Sequence, residues 1–286
     1  MSKKISVIGG DLRQLTLAEL LSQNGYEVTV SGFGNDSISE KYTIENDIKK
    51  AADADIVILP LPVTQDFKTL NAPFNKEKIS LADIAGYIPC GSLVLGGKIN
   101  DELFYLFEKQ KCIDYSEREE LMIKNAVPTA EGAIELAIAE TPITLAKSKA
   151  LIIGYGRIGK VLSQLLQGLG VEVSVSARKY SDLAWIDVNG FNAVHNKDII
   201  KSIPDYDIIF NTAPALILDE KILEKISPDT VVIDLASKPG GVDFQKARDF
   251  GLKVIWALSL PGKTAPLTSG KIIAETILNI LYEEGV

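Results

Sequence analysis

Three glycines, Gly154, Gly156 and Gly159, stand at G-x-G-x-x-G spacing in the stretch ALIIGYGRIGKVLSQLLQGLGVEVSVSARK. A β-branched run precedes them, a helix-forming run follows, and a second strand-like run comes next. In that setting each glycine has its own task. Gly154 permits a tight turn, Gly156 lets the backbone approach a pyrophosphate, and Gly159 lets helix and strand pack closely. Phosphates would then sit at the helix start, on the N–H groups around Arg157 and Ile158, where the helix dipole favours negative charge. The alternative is a glycine-rich turn that holds no ligand. The next strand ends in Ser176-Ala177-Arg178-Lys179. NAD sites usually carry Asp or Glu there, on the ribose hydroxyls, and Ala177 takes that position. A hydroxyl and two cations suit a 2′-phosphate, so the reading favours NADP, with NAD as the alternative. A solvated Arg-Lys turn with loose cofactor choice is the competing reading.

These residues need a scaffold. Strand-like runs occur at 5–9, 27–32, 55–62, 92–97 and 111–115, and again at 150–154, 171–177, 207–213, 230–236 and 253–258. Amphipathic stretches such as LRQLTLAELLSQNG, DELFYLFEKQ, DEKILEKIS and DFQKARDFG lie between them. Such alternation predicts an α/β fold: two Rossmann-like, doubly wound parallel-sheet domains with a cleft between them. The expected boundaries are a substrate-side domain over 1–124, joined by a C-terminal helix over 272–286, and an NAD(P)-binding domain over 125–271. The stretch 125–149 reads as a connecting helix broken at Thr141-Pro142, with Thr141 as the cap of a new turn. In the last helix, Ile273, Ile277, Ile280 and Leu281 fall on one face. The first half also opens with a strand–glycine–helix unit, but Gly9-Gly10-Asp11 lacks the third glycine. Asp11 sets a negative charge where a phosphate would go, which favours a substrate-side role. Arg13 either points into the cleft or pairs with Asp11 or a helix carboxylate.

With 286 residues the chain can bury two ordinary domains, and 46% hydrophobic with 24% charged residues is a globular composition. A net charge of −8 argues against nucleic acid as the main partner. No apolar run approaches the roughly 20 residues needed to span a membrane. The opening MSKKISVIGG has no signal-peptide pattern, and Cys90 and Cys112 form no CxxC, so a cytoplasmic protein with reduced thiols is expected. Cys90, beside Gly91, is either reactive or simply buried. No metal site is assigned. SEREE (116–120) reads as a solvated helix face. Gly86 and Tyr87 either reach the cleft or belong to a turn feeding a buried strand.

The second half, with GYGRIG, NTAP (211–214) and IDLASKPGGVDF (233–244), resembles the nucleotide domain of the 2-hydroxyacid dehydrogenase, alanine dehydrogenase and adenosylhomocysteinase group. Over its whole length the chain more closely resembles the family of dipicolinate synthase A-subunits, through VIGGDLRQ, AVPTAEGAIELAIAETP and LSLPGKTAPLTSG. The resemblance implies oxidation of dihydrodipicolinate to dipicolinate in sporulating bacteria, on a branch from the lysine pathway. It implies NADP as cofactor and a second, flavoprotein-like subunit in a hetero-oligomer. Two other readings remain: a stand-alone NAD(P)-dependent dehydrogenase of a keto or hydroxy acid, and a non-catalytic cofactor-binding subunit. D-type hydroxyacid dehydrogenases carry a histidine after their last domain strand, where this chain has Leu260-Pro261-Gly262-Lys263. The single histidine, His195, falls in a surface segment and is not expected to act as the base.

For a small dicarboxylate substrate the protein must orient the ring and hold two acids. LPGKTAPLTSG (260–270) is expected to be a bent polar loop in which Lys263, Thr264, Thr268 and Ser269 offer a charge, hydroxyls and helix-start N–H groups to one carboxylate. The plainer readings are a solvated lysine and, for Thr268, a helix N-cap. Thr129 and Glu131, in a PTAEG turn, would line the same cleft with Arg13. The base is left open between Lys263, Glu131 and a water. Asn211, Thr212 and Ala213 are expected near the nicotinamide ribose, with Asp234 and Lys238 toward the nicotinamide end.

Overall fold

Short β-branched runs covered on both faces form parallel strands, because a parallel sheet needs helices on each side. A computed structural model of the chain describes residues 3–34 and 40–286. It divides into two compact units, Met1–Asn125 with Ala265–Val286, and Ala126–Thr264. The first contains β1 (Lys4–Ile8), β2 (Glu27–Ser31), β3 (Thr43–Ile44), β4 (Ile56–Ile58), β5 (Leu93–Gly96) and β6 (Lys111–Asp114). The second contains β7 (Lys149–Ile153), β8 (Glu172–Ala177), β9 (Asn192–His195), β10 (Ile208–Asn211), β11 (Val231–Asp234) and β12 (Lys253–Trp256).

Among the described residues each unit has one six-stranded sheet, ordered β3-β2-β1-β4-β5-β6 and β12-β11-β10-β7-β8-β9. All the pairs in both sheets are parallel. Counted within its own unit, each sheet has the order 3-2-1-4-5-6 of dinucleotide-binding folds, with a switch point between its first and fourth strands. Every strand-like run of the sequence is present. β3 and β9, which the apolar pattern missed, are sheet edges whose residues are largely exposed or half-exposed. An edge strand has one neighbour and needs no continuous apolar run.

Within the first unit the helix Pro266–Glu283 packs on the helix Leu12–Gln23. Ile273, Ile277, Ile280 and Leu281 are all buried, in one core cluster with Leu17, Ala18 and Leu21. The backbones approach closely, since a Cβ on Gly270 would stand 2.6 Å from Arg13 O and 2.6 Å from Thr16 Cβ. SEREE is not simply a solvated face. Arg118 binds Glu283 through both terminal nitrogens, at 2.7 and 2.8 Å, and tethers the end of that helix.

PTAEG is no turn: the helix Glu119–Glu140 runs straight through Pro128. Ala130, Ala133, Ile134 and Ala137, at helical spacing, form its buried face in the second unit. No new helical turn begins at Pro142; the Thr141 hydroxyl instead donates to Ala137 O at 2.7 Å. LPGKTAPLTSG is not a loop but two helices, Leu260–Thr264 and Pro266–Glu283, separated at Ala265. Its prolines mislead because Pro261 and Pro266 occupy first-turn positions, where a missing N–H costs no helical hydrogen bond.

Replacing Gly270 with Val is expected to lower stability by about 1–3 kcal/mol through overpacking. Thermal unfolding checks this: an unchanged melting temperature would show that the two helices do not meet at this glycine.

Candidate functional site

The second unit builds its carboxyl-end site from the turn between β7 and the helix Arg157–Gly168. Gly154 has φ +100, a backbone conformation that side chains rarely adopt. A Cβ on Gly159 would stand 2.1 Å from Gly154 O, so helix and strand come together only because residue 159 has no side chain. Around Gly156 the geometry is the opposite. Among the described residues beyond its own turn, nothing lies within 4 Å of the position of its missing Cβ. Gly156 is also the N-cap of the helix and supplies no side-chain cap. A pyrophosphate fits such a cradle: open space, approachable backbone and the positive end of a helix.

Thr212 braces the turn from the next strand. Its hydroxyl donates to Ile153 O at 3.0 Å and stands 2.6 Å from the missing Cβ of Gly154. Asn211 and Asp234, predicted to touch the cofactor, are both fully buried and bind each other, Nδ2 to Oδ1 at 2.7 Å. The other bonds of this pair go to backbone: Asn211 Nδ2 donates to Ala213 O, and Asp234 accepts from Ala236 N and Gly241 N. The pair therefore shapes the two loops that follow β10 and β11 and presents Ala213, which is half-buried. Lys238 is exposed on the second loop. Sequence reasoning overlooks Trp256, which β12 sets opposite Asp234 in register. Its Nε1–H donates to Ala236 O at 3.0 Å and its ring lies 5.0 Å from that of Phe244.

At the end of β8, Ser176 is fully buried, and among the described residues its Oγ has no hydrogen-bond partner. Arg178 and Lys179 follow, both exposed. His195 ends β9 and pairs in register with Ala177.

Glu131 and Lys263 are exposed residues of this unit, on two helices that touch. A Cβ on Gly132 would lie 2.6 Å from Thr264 Oγ1. That hydroxyl donates to Glu135 Oε2 at 3.4 Å, a partner that helical spacing alone suggests once PTAEG is read as helix. Thr129 lies on the same helix, half-buried and engaged.

In the first unit the equivalent turn is filled by the chain itself. Gly10 N donates to Asn71 O at 2.8 Å, and a Cβ on Gly9 would meet the Leu70 side chain at 2.4 Å. Asp11 caps the helix Leu12–Gln23 in a reciprocal box with Gln14. Of the two readings for Arg13, pairing with Asp11 is the one observed, through Nε at 2.9 Å and Nη2 at 2.8 Å, with Leu61 O also accepting from Nη2. Tyr115 is fully buried nearby and donates to Leu59 O at 3.0 Å; burial raises its hydroxyl pKa, so it remains a donor. Thr268 is exposed, and Ser269 is buried and engaged, in the first turns of the helix Pro266–Glu283, whose N-cap is Ala265 rather than Thr268. The six residues expected to hold substrate are therefore distributed over both units.

Cys90 is exposed in the turn before β5, at the amino end of that strand rather than the carboxyl end where such sheets bind ligands. Burial, with Asp114 adding to it, pushes the Cys112 thiol up to about 12. Gly86 and Tyr87 close the short helix Leu81–Tyr87, also ahead of β5. Among the described residues no helix is long and apolar enough to cross a membrane.

Comparison with known proteins agrees with this division of the chain. Residues 4–115 match the family described as the N-terminal domain of the dipicolinate synthase A-subunit. Residues 129–239 match the D-isomer specific 2-hydroxyacid dehydrogenase, NAD binding domain, an oxidoreductase fold. The dipicolinate synthase A-subunit of Bacillus subtilis is 33% identical over 98% of this chain and 96% of its own length. The crystal structure of the corresponding protein from Bacillus halodurans superposes with a TM-score of 0.90 at 32% identity, covering 98% of this chain and 97% of the other. That of the Bacillus subtilis protein gives a TM-score of 0.89 at 33% identity, covering 99% and 97%. A transhydrogenase from Sinorhizobium meliloti shares the fold alone, with a TM-score of 0.76 at 15% identity.

Gly159→Ala is expected to destabilise the chain by about 1–3 kcal/mol or more, because Gly154 O must move aside. Asn211→Ala should cost about 1–3 kcal/mol by stranding a buried oxygen of Asp234. Urea unfolding midpoints measure both, and wild-type midpoints would refute the packing described.

Proposed function

Since the chain belongs to the family of dipicolinate synthase A-subunits, we propose that it oxidises dihydrodipicolinate to dipicolinate with NADP, acting with a second, flavoprotein-like subunit in sporulating bacteria. The observation that carries the reaction class is the cradle at Gly156, open above the glycine and closed beneath it by Gly154 and Gly159. The reaction removes a hydride and a proton from the ring and leaves an aromatic pyridine. The nicotinamide, when bound, supplies the hydride acceptor.

The chain's own residues then have three tasks. The helix start at Arg157 and Ile158 receives the pyrophosphate, and Thr212, Asn211 and Asp234 fix the loops around it. Arg178 and Lys179 pair with the ribose phosphate; the absence of a carboxylate from Ser176-Ala177-Arg178-Lys179 supports NADP over NAD. Lys263 holds a substrate carboxylate, with Thr264 and Thr129 nearby on the paired helices and Glu131 as candidate base. Arg13 is committed to Asp11, and Ser269 is buried and engaged, so the substrate assignment rests chiefly on Lys263.

The decisive assay incubates fresh dihydrodipicolinate with the chain, with and without its flavoprotein-like partner, using NADP or NAD, and follows the ultraviolet absorbance of the pyridine. Product is expected with NADP and the partner together. Cofactor binding without product when the partner is present would favour a non-catalytic role, and turnover of keto or hydroxy acids by the chain alone a stand-alone dehydrogenase. Arg178→Ala should weaken NADP binding by about tenfold or more and leave NAD binding unchanged. Lys263→Met should raise the KM for substrate by about tenfold; wild-type kinetics would remove Lys263 from the site.

A further inference from the structure

His195 stands apart from the reacting end of the site, and sheet order shows why. β9 is the edge strand on the β8 side, whereas β10 and β11 lie on the other side of β7. In a doubly wound sheet the two halves of a dinucleotide lie on opposite sides of the switch point. The half served by β8 and β9 is the adenosine half.

We propose that the His195 imidazole, held against the Tyr180 ring, is a further specificity-determining group that donates to the 2′-phosphate of the cofactor's adenosine ribose; this deepens, and rests on, the NADP reading above. Four observations carry it. His195 is the register partner of Ala177, the residue directly before Arg178 and Lys179, so two neighbouring strand ends bring the three residues to one corner of the sheet. Lys197 N donates to His195 Nδ1 at 3.1 Å. A ring nitrogen that accepts carries no proton, so this bond assigns the hydrogen to Nε2 and makes that atom the donor. The Tyr180 ring lies 5.5 Å from the imidazole at 37°, and Tyr180 is 81% exposed, so it braces His195 from outside the core. The acid on the same turn, Asp198, also faces His195 and Lys197, and its charge is offset by Lys201 Nζ at 2.5 Å. With a ribose hydroxyl in place of the phosphate, these donors lose their charged acceptor, which is how the corner discriminates.

The test is calorimetric titration of the full chain with adenosine 2′,5′-bisphosphate and, separately, adenosine 5′-monophosphate, alongside the melting temperature of each variant. Wild type should prefer the bisphosphate. His195→Ala should weaken the bisphosphate by about five- to tenfold and leave the monophosphate within about twofold. His195→Gln, which keeps a side-chain donor, should recover part of the loss, and Tyr180→Leu should lose part of it. Wild-type bisphosphate affinity in His195→Ala, while Arg178→Ala loses it, would overturn the role of His195 and leave the NADP reading standing. Equal weakening of both nucleotides would also overturn it, by showing a general structural effect. No preference in wild type would overturn the NADP reading itself, and this proposal with it.

Discussion

The approach of Gly154 O to within 2.1 Å of where a Cβ on residue 159 would stand is the constraint from which the second unit's site follows. It brings the helix Arg157–Gly168 down onto β7 and aims the start of that helix across the end of the sheet. Thr212 reinforces the turn from β10. The same backbone path leaves Gly156 facing open space, so one short motif is closed on its inner side and accessible on its outer side. The buried Asn211–Asp234 contact plays the matching part for the loops after β10 and β11.

The two units make opposite use of one topology. Both sheets have the strand order of dinucleotide-binding folds. In the first unit, Asn71 and the Leu70 side chain lie on the glycine turn, and the Asp11 carboxylate occupies the helix start while holding Arg13. An anion there would displace the protein's own hydrogen bonds and meet a like charge. In the second unit no side-chain cap competes for the helix start. Topology alone therefore does not assign a ligand; the side chains at the turn do.

Much of this is legible in the sequence. The apolar runs locate the interior strands, because strands covered on both faces must be apolar throughout. The glycine spacing locates the cofactor turn. Edge strands β3 and β9 escape, being short and partly exposed. Two proline-containing stretches mislead by reading as turns: Pro128 lies inside a helix, and Pro261 and Pro266 lie where helices tolerate them. The alanine and isoleucine spacing of 130–137 is the better signal there. The burial of Asn211 and Asp234 cannot be read from a strand end, since it depends on a loop returning from Gly241. His195 looks peripheral in the sequence because β9 itself is hidden there, and with it the pairing that sets this residue beside Ala177.

One comparison addresses the account most directly: calorimetric titration of wild type and Gly156→Val with NADPH. Gly156 has φ −83 and ψ −162, extended backbone outside the left-handed region, and among the described residues beyond its own turn its Cβ position is clear to 4 Å. The prediction is that wild type binds and that Gly156→Val, still melting cooperatively as a folded chain and lowered by no more than a lost N-cap costs, does not, because the valine side chain fills the space of the pyrophosphate. Wild-type affinity in Gly156→Val would contradict the account, since the cofactor would then have to lie elsewhere.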